Sequence, residues 1–186
     1  MNIFILDLDP VIAAQMQCDK HVVKMLLESA QMLSTAHRII DGNGVRGLSK
    51  SGKRSVLKWS HPTLDEVLYS AVHQNHPCTQ WTMISKSNYQ WHYAHFVALC
   101  DEYSYRYGKV HKTDGKLRDV LKFNPKNIPD LDLTEFPLAM GDNPECKIIE
   151  DPVKSYRKFY QTKQKRFKML WTRRKVPSWF EVIEYA

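Results

Sequence analysis

The 186-residue chain has only four cysteines, Cys18, Cys78, Cys100 and Cys146, and no two of them form a Cys-x-x-Cys pair. Thiols so widely spread exclude a disulfide framework, and with no signal peptide ahead of them they predict a reduced, cytoplasmic protein. Long apolar runs are also missing. The run Ile3 to Leu6 stops at Asp7, far short of the ~20 residues that cross a bilayer, so no membrane span is expected. Acidic side chains are in deficit: 20 Asp+Glu face 27 Lys+Arg, giving a formal charge of +7 and a pI near 9.2. That balance suits a polyanion such as nucleic acid, and an anionic membrane surface fits the charge equally well. What is abundant is core material, 43% hydrophobic and 11% aromatic residues, enough for one domain with one substantial core. The oligomeric state is not legible.

Helix punctuation recurs along the chain. Asn2 to Leu8 reads as an extended segment. Asp9-Pro10 is a side-chain cap followed by a proline suited to the first helical turn, and a long helix is expected from there to His37. Residues 41–60 contain Gly42, Gly44, Gly47 and Gly52 among Arg46, Lys50, Lys53, Arg54 and Lys58, which predicts a flexible basic loop. Gly47, Gly52 and Lys53 have phosphate-loop spacing, but Arg54 replaces the hydroxyl residue and a helix precedes them, so a nucleotide loop is rejected. Thr63 with Glu66 resembles a capping box for a short helix to Val72. His76-Pro77 starts a long aromatic helix that runs to Gly108, and Thr113 caps a further short helix. Residues 124–150, with Pro125, Pro129, Pro137 and Pro144, are expected to be irregular. Asp151-Pro152 opens a basic, aromatic helix extending to about Trp171. The expectation is a mainly α, compact, single-domain helical bundle with long loops.

Three groups of residues are candidates for chemistry. His73 with His76 and His92 with His95 lie near Cys78 and Cys100 but complete no recognised ligand set, so they read as buried, hydrogen-bonded histidines, and neither metal nor cofactor is expected. The loop cations Arg46, Lys53, Arg54 and Lys58, with Arg157 and Lys158 of the last helix, suit phosphate contacts, and aromatic rings beside them suit stacking on unpaired bases. The first helix is two-sided. Val22, Leu26, Leu33 and Ala36 form an apolar stripe, while Gln17, His21, Lys24, Glu28, Gln31 and Thr35 recur at intervals of three and four as a polar one. A polar stripe of this kind is a solvated face or an active-site face.

Asp19-Lys20-His21, followed seven residues later by Glu28, resembles the first helix of the phage endonuclease V-type pyrimidine dimer DNA glycosylases. The aromatic helix from His76 to Tyr107 and the segment Ser155-Tyr156-Arg157-Lys158-Phe159-Tyr160 are similar to later parts of that family. The match covers about two fifths of the chain, and Cys18-Asp19-Lys20-His21 also resembles uncharacterised tailed-phage proteins. The resemblance implies a DNA glycosylase and AP lyase acting on a flipped nucleotide in duplex DNA, in the host cytoplasm if phage-encoded. It places the Met1 amine as nucleophile, Glu28 as acid-base residue, and His21 and Lys24 as phosphate binders or carboxylate orienters. α-Amines have pKa values near ~7.7 against ~10.4 for lysine, so more of the group is neutral and nucleophilic at neutral pH. Two differences stand out: Met1-Asn2 replaces a threonine exposed by methionine removal, and Gln31 stands where the family has arginine. The alternatives are a base-modifying enzyme using the same pocket, a non-catalytic nucleic-acid or host-protein binding module, and a buried polar network that only stabilises helix packing.

Overall fold

The computed structural model describes residues 1–183 except Lys50 and Asp142; residues 184–186 also lie outside the described set. Among the described residues, six α-helices and one small sheet follow in the order α1 (Pro10–Gln15), α2 (Asp19–Ile40), β1 (Asn43–Leu48), β2 (Ser55–Ser60), α3 (Pro77–Ile84), α4 (Lys86–Tyr107), α5 (Lys112–Leu121) and α6 (Pro152–Gln161). Short 3-10 turns lie at Pro144–Cys146 and Thr162–Lys165. The chain is mainly helical, but the sheet and the long irregular connections make it something other than a pure helical bundle.

The centre is α2 packed along α4, with α1, α3 and α5 around them. Val22, Leu26, Leu33 and Ala36 are fully buried there, so the apolar stripe faces the core. The expected Asp9-to-His37 helix is two helices. Asp9 Oδ1 accepts the Val11 and Ile12 amides as predicted, but the chain turns at residues 16–18, where Tyr160 Oη accepts the Cys18 amide at 2.9 Å. Asp19 does not cap α2. Its carboxylate accepts from Arg106 and from the Thr172 amide and hydroxyl, tying the tail to the start of α2. The aromatic helix is likewise divided at Ser85, whose hydroxyl accepts the Asn88 amide and starts α4. α4 then ends at Gly108, which adopts φ 65°, a left-handed conformation that glycine tolerates without a Cβ penalty.

The flexible loop expected over residues 41–60 is instead an antiparallel hairpin, pairing Asn43 with Ser60 through to Leu48 with Ser55. Its root is held by tertiary contacts. The buried Arg38 guanidinium donates to the carbonyls of Trp59, Asp65, Leu68 and Tyr69 and pairs with the Asp65 carboxylate. A Cβ at Gly42 would lie 2.2 Å from Ser60 O, so that close approach needs glycine. The same guanidinium takes up carbonyls that a helix after Thr63 would use internally, and this stretch is turns rather than the expected helix. Among the described residues of 124–150, the chain is irregular as expected apart from the 3-10 turn Pro144–Cys146. α6 ends at Gln161, well before Trp171, and Trp171 and Phe180 return to the core. No helix among the described residues is long and apolar enough to cross a membrane.

Candidate active site

A cleft of about 710 Å³ opens where the N-terminal segment crosses the middle of α2. The segment is pinned by its second residue: Asn2 Oδ1 accepts the Ile3 and Phe4 amides at 2.8 and 3.1 Å, and its Nδ2 donates to Ala139 O at 2.8 Å. Phe4 follows at φ 56°, a conformation that costs a non-glycine residue of the order of 1–3 kcal/mol and persists only where surrounding contacts impose it. Those contacts are aromatic: the Phe4 ring packs on His21, Tyr156, Phe159 and Tyr160.

This path brings the chain terminus to Glu28. The Met1 amine lies 3.5 Å from Glu28 Oε2. The same oxygen accepts the Asn2 amide at 3.2 Å, and Lys24 Nζ is 3.6 Å from Oε1. The Glu28 side chain is 14% exposed, against 62% for Lys24, so the carboxylate sits at the floor of the cleft and the lysine at its rim. His21, two turns earlier, is buried and pushed down to about 3, first by burial and then by Lys24 and Lys163. It is a neutral ring at any ordinary pH. Tyr160 Oη lies 2.7 Å from His21 Nδ1 while accepting the Cys18 amide. With the tyrosine proton assigned to Nδ1, Nε2–H is the donor the ring retains.

The cations around this floor come from parts of the chain without a motif of their own. Lys147, Lys163 and Arg166 line the cleft together with Lys24, and the aromatic walls are Phe4, Phe159 and Phe167. Lys163 Nζ stands 3.4 Å from the centre of the Phe159 ring and is pushed down to about 8, chiefly by burial and then by Arg166 and Lys24. His76 also lines the cleft. Its pKa is lowered by burial and by the neighbouring terminal amine, and its Nδ1 caps α3 by accepting the Cys78 amide. The only sequence cue for Lys163 and Arg166 is the general lysine and arginine density after α6.

Several expected site residues lie elsewhere. Gln31 does not line the cleft. Arg46, Lys53, Arg54 and Lys58 are exposed on the hairpin, whose root at the end of α2 is about 20 Å along the helix from Glu28 at 1.5 Å per residue. Arg157 is tied to Leu6 O and Asp7 and stacks on Trp179. Lys158 donates to Glu145 O. Tyr156 and Tyr160, in the segment expected to stack on bases, are fully buried and brace the N-terminal segment. Of the paired histidines, His92 is bonded to Thr82, and neutral His95 lies 2.8 Å from Pro10 O through Nδ1 and 3.1 Å from the Gln17 side-chain amide nitrogen through Nε2. His37, Asp41 and His61 form the one metal-spaced cluster among the described residues, and it lies outside the cleft.

No protein-family model, curated protein or solved structure matches the chain.

Proposed function

We propose that the chain is a DNA glycosylase and AP lyase whose nucleophile is the Met1 amine. The single observation that carries this reading is the approach of that amine to within 3.5 Å of Glu28, at the floor of a cleft rimmed by Lys24, Lys147, Lys163 and Arg166. Each part has a role in the chemistry. The rim cations bind the phosphates flanking an extruded nucleotide, and the phenylalanine walls take its base or the gap it leaves. Glu28 accepts a proton from the amine and faces the positive charge that develops on the sugar as the base departs. The amine nitrogen bonds to C1′ as the C1′–N bond to the base breaks, with the electron pair leaving on the base. The C1′–O4′ bond then breaks as O4′ takes a proton from Glu28, giving the ring-opened imine. The imine makes the C2′ proton acidic, and its removal breaks the C3′–O3′ bond, with the electron pair leaving on the 3′ phosphate. Neutral His21 serves as a hydrogen-bond donor to a phosphate or sugar oxygen.

The Asn2 nitrogen is as well placed as the Met1 amine, 3.2 Å from the same carboxylate oxygen. Removal of Met1 would present a new amine at the same point. Borohydride reduction in the presence of abasic duplex and of dimer-containing duplex tests the proposal. The expected result is a covalent adduct, localised by peptide mass to residue 1 or 2, and lost when Gly-Ser is added ahead of Met1. Absence of an adduct on both substrates, or its persistence with the extension in place, overturns the amine mechanism.

A further inference from the structure

We propose that the hairpin of β1 and β2 is a second DNA-binding element, a basic arm that enters the major groove of the duplex whose reacting nucleotide lies in the cleft. This rests on the reading of the chain as acting on duplex DNA, and not on its amine chemistry. From Asn43 to Ser60 the sequence carries no acidic residue. Arg46, Lys53, Arg54 and Lys58 are exposed, and among the described residues their side chains have no ion pair and no hydrogen bond. The arginines of the body differ: Arg38, Arg106, Arg118, Arg157 and Arg174 are each held by a carboxylate. The hairpin cations therefore carry charge that the fold does not use, on an arm whose root Arg38 and Gly42 hold to the core.

The pairing register fixes where those cations stand. Val45 lies opposite Lys58 and Arg46 opposite Leu57, so Lys58 and Arg46 project from opposite faces of the ribbon. The glycines mark the same two faces. A Cβ at Gly47 would meet the Lys58 side chain at 3.9 Å, and one at Gly44 would meet Trp59 at 3.2 Å and Leu57 at 3.3 Å. Lys53 and Arg54 stand at the tip, a closed turn in which the Ser49 amide donates to Arg54 O at 2.8 Å and the Gly52 amide to Ser49 O at 2.9 Å. A lipid surface offers negative charge to one side of a ribbon, whereas a duplex groove offers phosphates along both walls. Cations on both faces and at the tip match the groove. The major groove, about 12 Å wide and 8.5 Å deep, admits a two-stranded ribbon, and the minor groove, about 6 Å wide, does not. Val45, Leu48 and Leu57 are exposed on the same arm, and apolar side chains there suit base edges such as the thymine methyl group. The root lies about 20 Å along α2 from Glu28 at 1.5 Å per residue, a span of roughly 6 base pairs at 3.4 Å each.

The full-length chain is compared with a variant carrying Arg46→Gln, Lys53→Gln, Arg54→Gln and Lys58→Gln together. Binding to an undamaged duplex several times longer than that span is followed by fluorescence anisotropy across a salt series. The replaced cations have no partner in the fold, so an unchanged Tm is expected. The variant is expected to bind roughly tenfold or more weakly at low salt, with a slope of log K against log salt smaller by ~0.9 for each phosphate lost, up to ~3.6. Methyl green, which occupies the major groove, is expected to remove the difference between the two proteins, and netropsin, which fills the minor groove, to leave it. Equal affinity and slope in the two proteins overturn the proposal, as does a difference that netropsin removes and methyl green does not. A loss confined to phosphatidylserine vesicles, with duplex binding intact, overturns it in favour of a membrane surface. Borohydride adduct formation on abasic duplex at saturating protein is expected to survive in the variant. A missing adduct in both proteins therefore counts against the amine mechanism alone, while the anisotropy decides the arm.

Discussion

Replacing Glu28 by glutamine separates catalysis from structure, because the two roles predict effects of different size. The amide keeps an oxygen for the Asn2 amide, now 3.2 Å from Glu28 Oε2, and nearly the same volume. What disappears is the charge that faces the Met1 amine at 3.5 Å and Lys24 at 3.6 Å. The Lys24 pair is four residues apart on a helix with its lysine 62% exposed, a kind of pair worth about 0.3–0.5 kcal/mol. The terminal pair is less screened and contributes on the order of 1 kcal/mol. A stability loss of about 1–1.5 kcal/mol follows, which for a chain of this length lowers Tm by roughly 2–6 °C. An acid-base residue at the reacting centre is worth about 10²–10⁴ in rate. The assay is single-turnover base release and strand cleavage on dimer-containing duplex, paired with thermal melting of the same preparation. A melting loss of this size with an unchanged single-turnover rate would refute the reasoning and leave Glu28 a packing residue.

Arg38→Met is expected to destabilise the chain by about 3 kcal/mol or more in urea unfolding, because four carbonyls and the Asp65 carboxylate lose their donor; a change under about 1 kcal/mol would mean the hairpin root is held by other contacts. Buried neutral histidines set an acid limit: burial lowers His21 and His92 to about 3 and His37 and His95 to about 4, whereas the unfolded groups titrate near ~6.5. Between those values the unfolded chain binds more protons, so stability is complete above about pH 6.5 and falls as pH drops toward 4; a flat Tm across that window contradicts the burial. Alanine at Lys147, Lys163 or Arg166 is expected to lower the slope of log K against log salt for duplex binding by ~0.9 for each phosphate left without its cation, measured by fluorescence anisotropy, and unchanged slopes would remove the cleft from the DNA path.

Much of the helical framework was legible because its signals are local. Asp9-Pro10, His76-Pro77 and Asp151-Pro152 each begin a helix, and Gly108 ends one, since a cap and its neighbours lie within one turn. His21, Lys24 and Glu28 were readable as one face because helical spacing alone aligns them. The breaks at residues 16–18 and at Ser85 were harder. The first depends on Tyr160, more than a hundred residues away in sequence, and no glycine or proline marks it. The hairpin reads as a loop because Gly42, Gly44, Gly47 and Gly52 weaken strand propensity, and its order comes from Arg38 and from pairing between strands. Lys163 and Arg166 carried no periodic signal toward the cleft, since they follow the last helix in a turn whose direction depends on the tail.

By itself, the sequence determined where α1, α3 and α6 start, which face of α2 is apolar and which three polar side chains share the other face, all consequences of backbone geometry over a few residues. Only the tertiary structure decided that the chain terminus reaches Glu28, that Asp19 and the two tyrosines of α6 are braces, and that His61 meets His37 and Asp41. Those placements depend on segments far apart in the chain packing into one core, and no short-range pattern of residues encodes the distance between them.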